Sequence, residues 1–372
     1  MKNKIITVVF VAYIFFFGIG SILMKDREFS DMENRTLQTF PKLTLNTIMS
    51  GEFTENFETY MSDQIILKDE LVQLKVLENR VLGQKLINDV YFSAEGMLIR
   101  NYVNPYEQLN TNLGYVNEFA AANPDLNITW LVAPNACYVY EDRLPDYAPC
   151  YDQGEVLRYM MEQVDTSISL VDCSKSLMAS KDEYIYYNTD HHWTMNGAYL
   201  GYVEYCQTVG ITPTQKETYD IVSGSKEFYG TLYSNAPYFG QKMDEVIIFN
   251  NPKGEYKVEY LDDDITTDSL YNMDNLSIKD KYTTYLDGNH SILKITSNAP
   301  EGDNGKLLVV KDSYGHCLIP LLADHYSEII VVDLRYYHIG VGKLAYDEGI
   351  ENVLMINNLD FISTDNNFLW LY

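Results

Sequence analysis

Three runs of four apolar residues do most to limit what this chain can fold into: Leu307-Leu-Val-Val310, Ile329-Ile-Val-Val332 and Val353-Leu-Met-Ile356. Each is too short for a buried helix and lacks the polar alternation of a half-exposed strand, so each predicts a strand covered on both faces. Asn127–Ala133, which stops at Pro134, and Ser167–Val171 predict two more. The periodicity between them predicts helices over 154–164, 195–208 and 316–325. Strands of this kind alternating with helices predict an α/β domain with a mostly parallel sheet flanked by helices. Residues 210–300 differ. Short runs at Val246–Phe249, Tyr256–Tyr260 and Ser291–Ile295 sit among acidic, Asn-rich loops. They predict an antiparallel β-rich insertion lying beside the main sheet rather than extending it.

The N-terminus carries a second strong signal. Ile5 to Met24 is uncharged, and its 20 residues suffice to cross a hydrocarbon core of about 30 Å as a helix. Lys2 and Lys4 precede it, and every acidic residue follows it. The positive-inside rule then puts the body outside the cytoplasm. Residues 1–24 are thus expected to be a transmembrane signal anchor. A cleaved signal peptide is the alternative, with Gly18-Ile19-Gly20 near a cut, but no A-x-A pattern occurs. Residues 25–60 read as a polar juxtamembrane connector and 61–372 as the α/β domain. Leu67, Leu71, Leu74, Leu77 and Val81 predict a helix over 65–82, its stripe packed on the core.

Composition excludes other classes. Hydrophobic residues make up 46% of the chain and charged ones 22%, enough for a packed core. The formal net charge of −26 repels nucleic acid. Five cysteines without a C-x-x-C give no support to a zinc ribbon or redox motif. Cys137 and Cys150 close a short segment and could pair outside the cell, whereas Cys173, Cys206 and Cys317 read as small buried hydrophobes.

The chemistry concentrates in two motifs. In Lys311-Asp-Ser-Tyr314, Ser313 follows an apolar strand and precedes a helix, which places it at the carboxyl edge of the sheet. By itself it could be no more than a helix cap. In Asn188-Thr-Asp-His-His-Trp193, an extended backbone would project Asp190 and His192 to one side. The carboxylate could then orient the imidazole and the imidazole activate Ser313, as in a Ser-His-Asp triad. His191 would face the other way. A metal reading of Asp190, His191 and His192 lacks convergent ligands, because adjacent histidines on a strand diverge. Asn135, just past a strand end, is a candidate oxyanion donor or a turn residue. Arg335 could contact substrate or form a surface ion pair. Trp193 and Tyr314 could stack on a sugar or simply pack, and Asp262–Asp264 reads as a solvated acidic loop.

The Asp-His-His-Trp segment followed by Lys-Asp-Ser-Tyr resembles the DHHW family, and through it the SGNH-hydrolase-like alginate O-acetyltransferases. Glu33–Leu37, Ser50–Phe53, Phe228–Leu232 and Asp333–Tyr336 extend that resemblance, while Lys311 stands where a glycine is usual. It implies Asp190 as acid, His192 as base and Ser313 as nucleophile, with no cofactor. It also implies O-acetyl transfer to a cell-surface or secreted polysaccharide, with a membrane-bound O-acyltransferase as acetyl donor. An esterase of the same type and a non-catalytic polysaccharide-binding assembly protein remain open from sequence.

Overall fold

The computed structural model describes residues 2–372, with side chains from Lys4 onward; Met1 and the side chains of Lys2 and Asn3 lie outside the described residues. The chain forms two compact units, residues 1–88 with 233–241, and residues 89–232 with 242–372. The division falls at 88/89 rather than at the expected 60/61.

The first unit begins with the helix Lys2–Leu23, apolar and long enough from Lys4 to cross a membrane. The segment expected to be a connector is folded. It contains helices Leu45–Ser50 and Glu52–Asp63, and a buried ion cluster holds it to the next helix, Lys68–Val81. Lys68 Nζ lies 3.0 Å from Asp63 and 2.8 Å from Glu33. This explains the displaced boundary, since Lys68 belongs with the connector it neutralises. The apolar stripe on Lys68–Val81 is also corrected. Leu67, Leu74 and Val81 are exposed, and the one buried apolar residue of the helix is Val76. Leu67 sits before the helix at φ +60°, so a stripe counted from it starts out of register.

The second unit is built on eight strands: β1 (Asn127–Ala133), β2 (Ser169–Asp172), β3 (Tyr256–Tyr260), β4 (Ile265–Thr267), β5 (Ile292–Ser297), β6 (Lys306–Lys311), β7 (Glu328–Val332) and β8 (Asn352–Asn358). Their order across the sheet is β4-β3-β5-β7-β6-β8-β1-β2. From β7 to β2 every pairing is parallel. The inner four, β7, β6, β8 and β1, are almost wholly buried, as uninterrupted apolar sequence requires, whereas the edge strand β2 buries only Val171. Helices cover the sheet: Met195–Val209 packs against Gly315–Leu322, and Tyr106–Ala122 against Leu359–Thr364.

The insertion does not lie wholly beside the sheet. Its β5 pairs antiparallel with β7, and β3 and β4 continue outward from it. Only Asp220–Phe228 and Asp244–Asn250, which includes the 246–249 run, form a separate two-stranded ribbon. The physical reason is the unpaired edge that β7 would otherwise present. Short alternating strands such as β3 and β5 reveal their buried face in sequence but not their partner.

Parallel strands bring their carboxyl ends to one edge. There the chain presents Asn135 after β1, Ser313 after β6, Arg335 after β7 and Asn358 at the end of β8.

Candidate active site

Residues 185–194 form a narrow hairpin. Tyr186 and Trp193 bridge antiparallel, and the Thr194 N–H donates to the Ile185 carbonyl at 2.9 Å. At its tip Asp190 Oδ1 accepts both the backbone N–H of His192, at 3.0 Å, and its Nδ1, at 2.5 Å. This is an Asx-type turn, in which a carboxylate bonds the backbone two residues on. The opposite ring nitrogen, Nε2, lies 2.7 Å from Ser313 Oγ. With Nδ1–H donating to the carboxylate, Nε2 is left as the acceptor for the hydroxyl.

Asp190 and His192 thus meet through a turn, not through strand alternation, and His191 does not point away. Its ring lies 3.9 Å from that of His192, and its Nδ1 is 3.6 Å from Asp190 Oδ1. That nitrogen is buried and makes no hydrogen bond among the described residues. Burial, and next the neighbouring His192, push His191 down to about 3, so it is neutral at ordinary pH. The three side chains also converge closely enough to offer a cation three ligands, contrary to the expected divergence. Asp190 Oδ1 and both ring nitrogens of His192 are, however, already engaged in the Asp190–His192–Ser313 chain.

Asp190 is buried, which alone would raise its pKa. The neighbouring His192 and His191 rings, with hydrogen bonds from His192 and the Thr231 backbone N–H, hold it well below the usual carboxylate range. The Thr231 bond is 2.7 Å. It requires Gly230, where an added Cβ would fall 2.2 Å from Asp190 Cβ and 2.3 Å from its Oδ2. Gly230→Ala should therefore displace the carboxylate. The expected loss in kcat/KM is on the order of 10²-fold, the scale for a misplacement of about 1 Å. Steady-state kinetics on a chromogenic acetyl ester would measure it, and wild-type activity would show that the turn relaxes.

Ser313 lies in a turn before the helix Gly315–Leu322 and does not cap it. Its Oγ is free to meet His192, and its backbone N–H makes no hydrogen bond among the described residues. Asp312 shapes the turn, accepting from Tyr314 N–H at 2.8 Å and Asn358 N–H at 2.7 Å. Burial pushes its carboxyl up to about 6. Beneath it, Lys311 is wholly buried and donates to Asp333 at 2.9 Å and to His316 Nε2 at 2.7 Å.

The other expected site residues separate. Arg335 reaches the open cleft of about 260 Å³ beside Ser313, together with Arg100, His191 and Asn358. Its guanidinium is held by Asp333 and by Asn289 Oδ1 at 2.9 Å. Asn135 is buried behind the cleft, its Nδ2 donating to Asn358 Oδ1 at 3.0 Å and its Oδ1 accepting from Gln153 at 2.7 Å. Asn358 is the member of that network that lines the cleft. Trp193 and Tyr314 are buried and bonded, Trp193 Nε1 to the Tyr314 carbonyl at 2.9 Å and Tyr314 Oη to the His191 carbonyl. They brace the hairpin against the serine turn; Tyr314 borders the cleft, and Trp193 does not line it.

Sequence reasoning missed Tyr282. Its ring stacks on His192 at 3.9 Å and 10°, and its hydroxyl donates to the Ser313 carbonyl at 2.9 Å. No motif marks it, because it lies in the acidic, loop-rich insertion. Gly230 and Thr231 did carry a signal, in Phe228-Tyr-Gly-Thr-Leu232.

With this geometry in place, the family profile described as "DHHW protein" matches residues 127–332, more than half of the chain and inclusive of Asp190, His192 and Ser313. The chain belongs to the DHHW family. A DHHW family protein from Eubacterium siraeum is 24% identical, with a TM-score of 0.64 over 77% of this chain and 97% of its own. PatB1 of Bacillus cereus, solved with a sulfonyl adduct, is 18% identical, with a TM-score of 0.64 over 76% of this chain and 98% of its own. The O-acetyltransferase domain of Pseudomonas putida AlgJ is 13% identical, with a TM-score of 0.46 over 74% of this chain and 93% of its own. No curated relative matches this DHHW protein by sequence.

Proposed function

We propose that this DHHW protein transfers acetyl groups to hydroxyls of a cell-surface or secreted polysaccharide through an acyl-serine at Ser313. The observation that carries the reading is the unbroken hydrogen-bond chain from buried Asp190 through His192 to Ser313 Oγ. His192 Nε2 takes the hydroxyl proton as Oγ attacks the acyl carbonyl, then returns it to the departing group. The acceptor hydroxyl enters by the same route in reverse, and Asp190 stabilises the imidazolium in both halves. The Ser313 N–H, at the turn before a helix, is placed to donate to the developing oxyanion. Tyr282 holds the imidazole in plane from its open side.

The helix Lys4–Leu23 serves as a single-pass anchor with the body outside the cytoplasm. Acetyl-CoA is not at hand there, so the acetyl group would come from a membrane-bound O-acyltransferase. Added protease should digest residues 25–372 in intact spheroplasts while a cytoplasmic control survives. Protection of the body would reverse the orientation.

Transfer itself is tested with an acetylated phenol as donor and an oligosaccharide as acceptor. Acetyl groups appearing on the sugar, found by mass spectrometry, are the expected result. Release of acetate alone, unchanged by acceptor, would make the protein an esterase.

A further inference from the structure

His191 lies against the Asp190–His192–Ser313 chain without being part of it. Its ring packs on that of His192, with centroids 3.9 Å apart and planes tilted by 37°. Both rings turn Nδ1 toward the same oxygen, Asp190 Oδ1, which is 2.5 Å from His192 and 3.6 Å from His191. Two packed rings held at one edge carry their opposite edges, and so both Nε2 atoms, out in the same direction. For His192 that direction leads to Ser313 Oγ. For His191 it leads to the cleft beside Ser313, which the ring helps to line. The His191 backbone is held from behind, its carbonyl accepting from Tyr314 Oη. Burial keeps this ring neutral, so it carries one N–H. A bare lone pair at Nδ1 would face the Asp190 carboxylate, whereas an N–H there is attracted to it. The proton therefore belongs on Nδ1. Nε2 is left as an acceptor, open to the cleft and bonded to nothing among the described residues. Whatever sits beside it must bring its own hydrogen, which suits a hydroxyl and not a carboxylate.

We propose that His191 Nε2 accepts a hydrogen bond from the sugar hydroxyl next to the one being acetylated, so that the site selects acceptors with hydroxyls on adjacent carbons. The inference rests on the transfer reading given above. In the acyl-enzyme Ser313 Oγ carries the acetyl group and no proton, which frees His192 Nε2. The attacking hydroxyl gives its proton to that nitrogen as its oxygen bonds the acyl carbon. The bond from that carbon to Oγ then breaks, and the proton passes from His192 to Oγ. One hydrogen cannot serve two acceptors. The attacking hydroxyl is engaged by His192, and His191 needs a second donor. Neighbouring hydroxyls of a sugar ring stand side by side, as the two nitrogens do.

The test uses the purified full chain in detergent, with an acetylated phenol as donor. The acceptors are the methyl glycosides of glucose, galactose and mannose, and for each the analogue lacking the hydroxyl beside the acetylated carbon. The quantity read is the ratio of acetylated glycoside to free acetate. Both products arise from one acyl-enzyme, so the ratio does not depend on how much of a preparation is folded. In the parent, loss of the neighbouring hydroxyl should lower the ratio roughly tenfold, the order of one hydrogen bond. His191→Phe should lower it by a similar factor with the intact glycoside, and no further when the hydroxyl is also missing. His191→Gln, whose amide oxygen can stand in for Nε2, should recover part of the loss. An unchanged ratio in His191→Phe, two losses that simply multiply, or a His191→Gln that matches His191→Phe would overturn the assignment and leave transfer standing. Acetate alone from the parent with every acceptor would overturn the transfer reading and this inference with it.

Discussion

Replacing Ser313 by alanine should lower kcat on an acetyl ester by about 10⁶-fold, because the members of a triad act as a unit. It should also abolish covalent labelling by a sulfonyl fluoride, read by intact mass. His192→Ala should lose nearly as much. Asp190→Asn should lose about 10⁴-fold, the effect of presenting the wrong tautomer. His191 stacks beside His192 but bonds neither Ser313 nor Asp190 at hydrogen-bond distance. His191→Ala should therefore stay within roughly tenfold of the parent, the scale of one modest contact. The two histidines carry the decision. An inactive His191→Ala with an active His192→Ala, or turnover abolished by chelators yet retained in Ser313→Ala, would replace the triad with a metal centre.

The second large effect is on stability. Asp333 is fully buried and accepts from Lys311 at 2.9 Å and from Arg335 Nε at 2.9 Å. Burial alone would raise its pKa, but those two cations bring it down to about 2. Asp333→Ala strands a buried lysine and should cost about 3–5 kcal/mol. Lys311→Met should cost less, since Asp333 keeps Arg335. All three tryptophans (130, 193 and 370) lie in the second unit, so fluorescence during urea unfolding of the full chain reports on it. A depressed carboxylate pKa stabilises above its unfolded value, near pH 4, and that contribution is lost as pH falls through about 2. Asp333→Ala should show a flatter acid limb over that window. A cost below about 1 kcal/mol would mean the lysine sheds its proton without penalty.

How much of this was legible depended on whether the signal was local. The inner parallel strands could be read because burial on both faces leaves an uninterrupted apolar word such as Leu307–Val310. Asp190 and His192 are legible because they are two residues apart and near a tryptophan, although a turn joins them rather than the extended segment that the spacing predicts. Arg335, picked out by its place after a strand, borders the cleft. Asn135 lies at the expected sheet edge but one layer deeper than an oxyanion donor would, because position after a strand does not say which way a side chain turns. Tyr282 and the pairing of β5 with β7 were invisible for a common reason. Both are long-range contacts made by a segment whose own pattern names no partner. Lys311, a charged residue ending an apolar strand, carries no local sign of its burial, because the carboxylate that neutralises it, Asp333, lies 22 residues on.

The hairpin at 185–194 also bears on the order in which the protein becomes competent. Closing Asp190 onto His192 spans two residues, whereas closing His192 onto Ser313 spans 121. Chain entropy scarcely opposes the first closure and weighs on the second. The acid and base can therefore pair early and locally, while the nucleophile reaches them only after β6 has docked between β7 and β8. Recovery of turnover during refolding consequently times the completion of the central sheet, and should trail the return of hairpin structure.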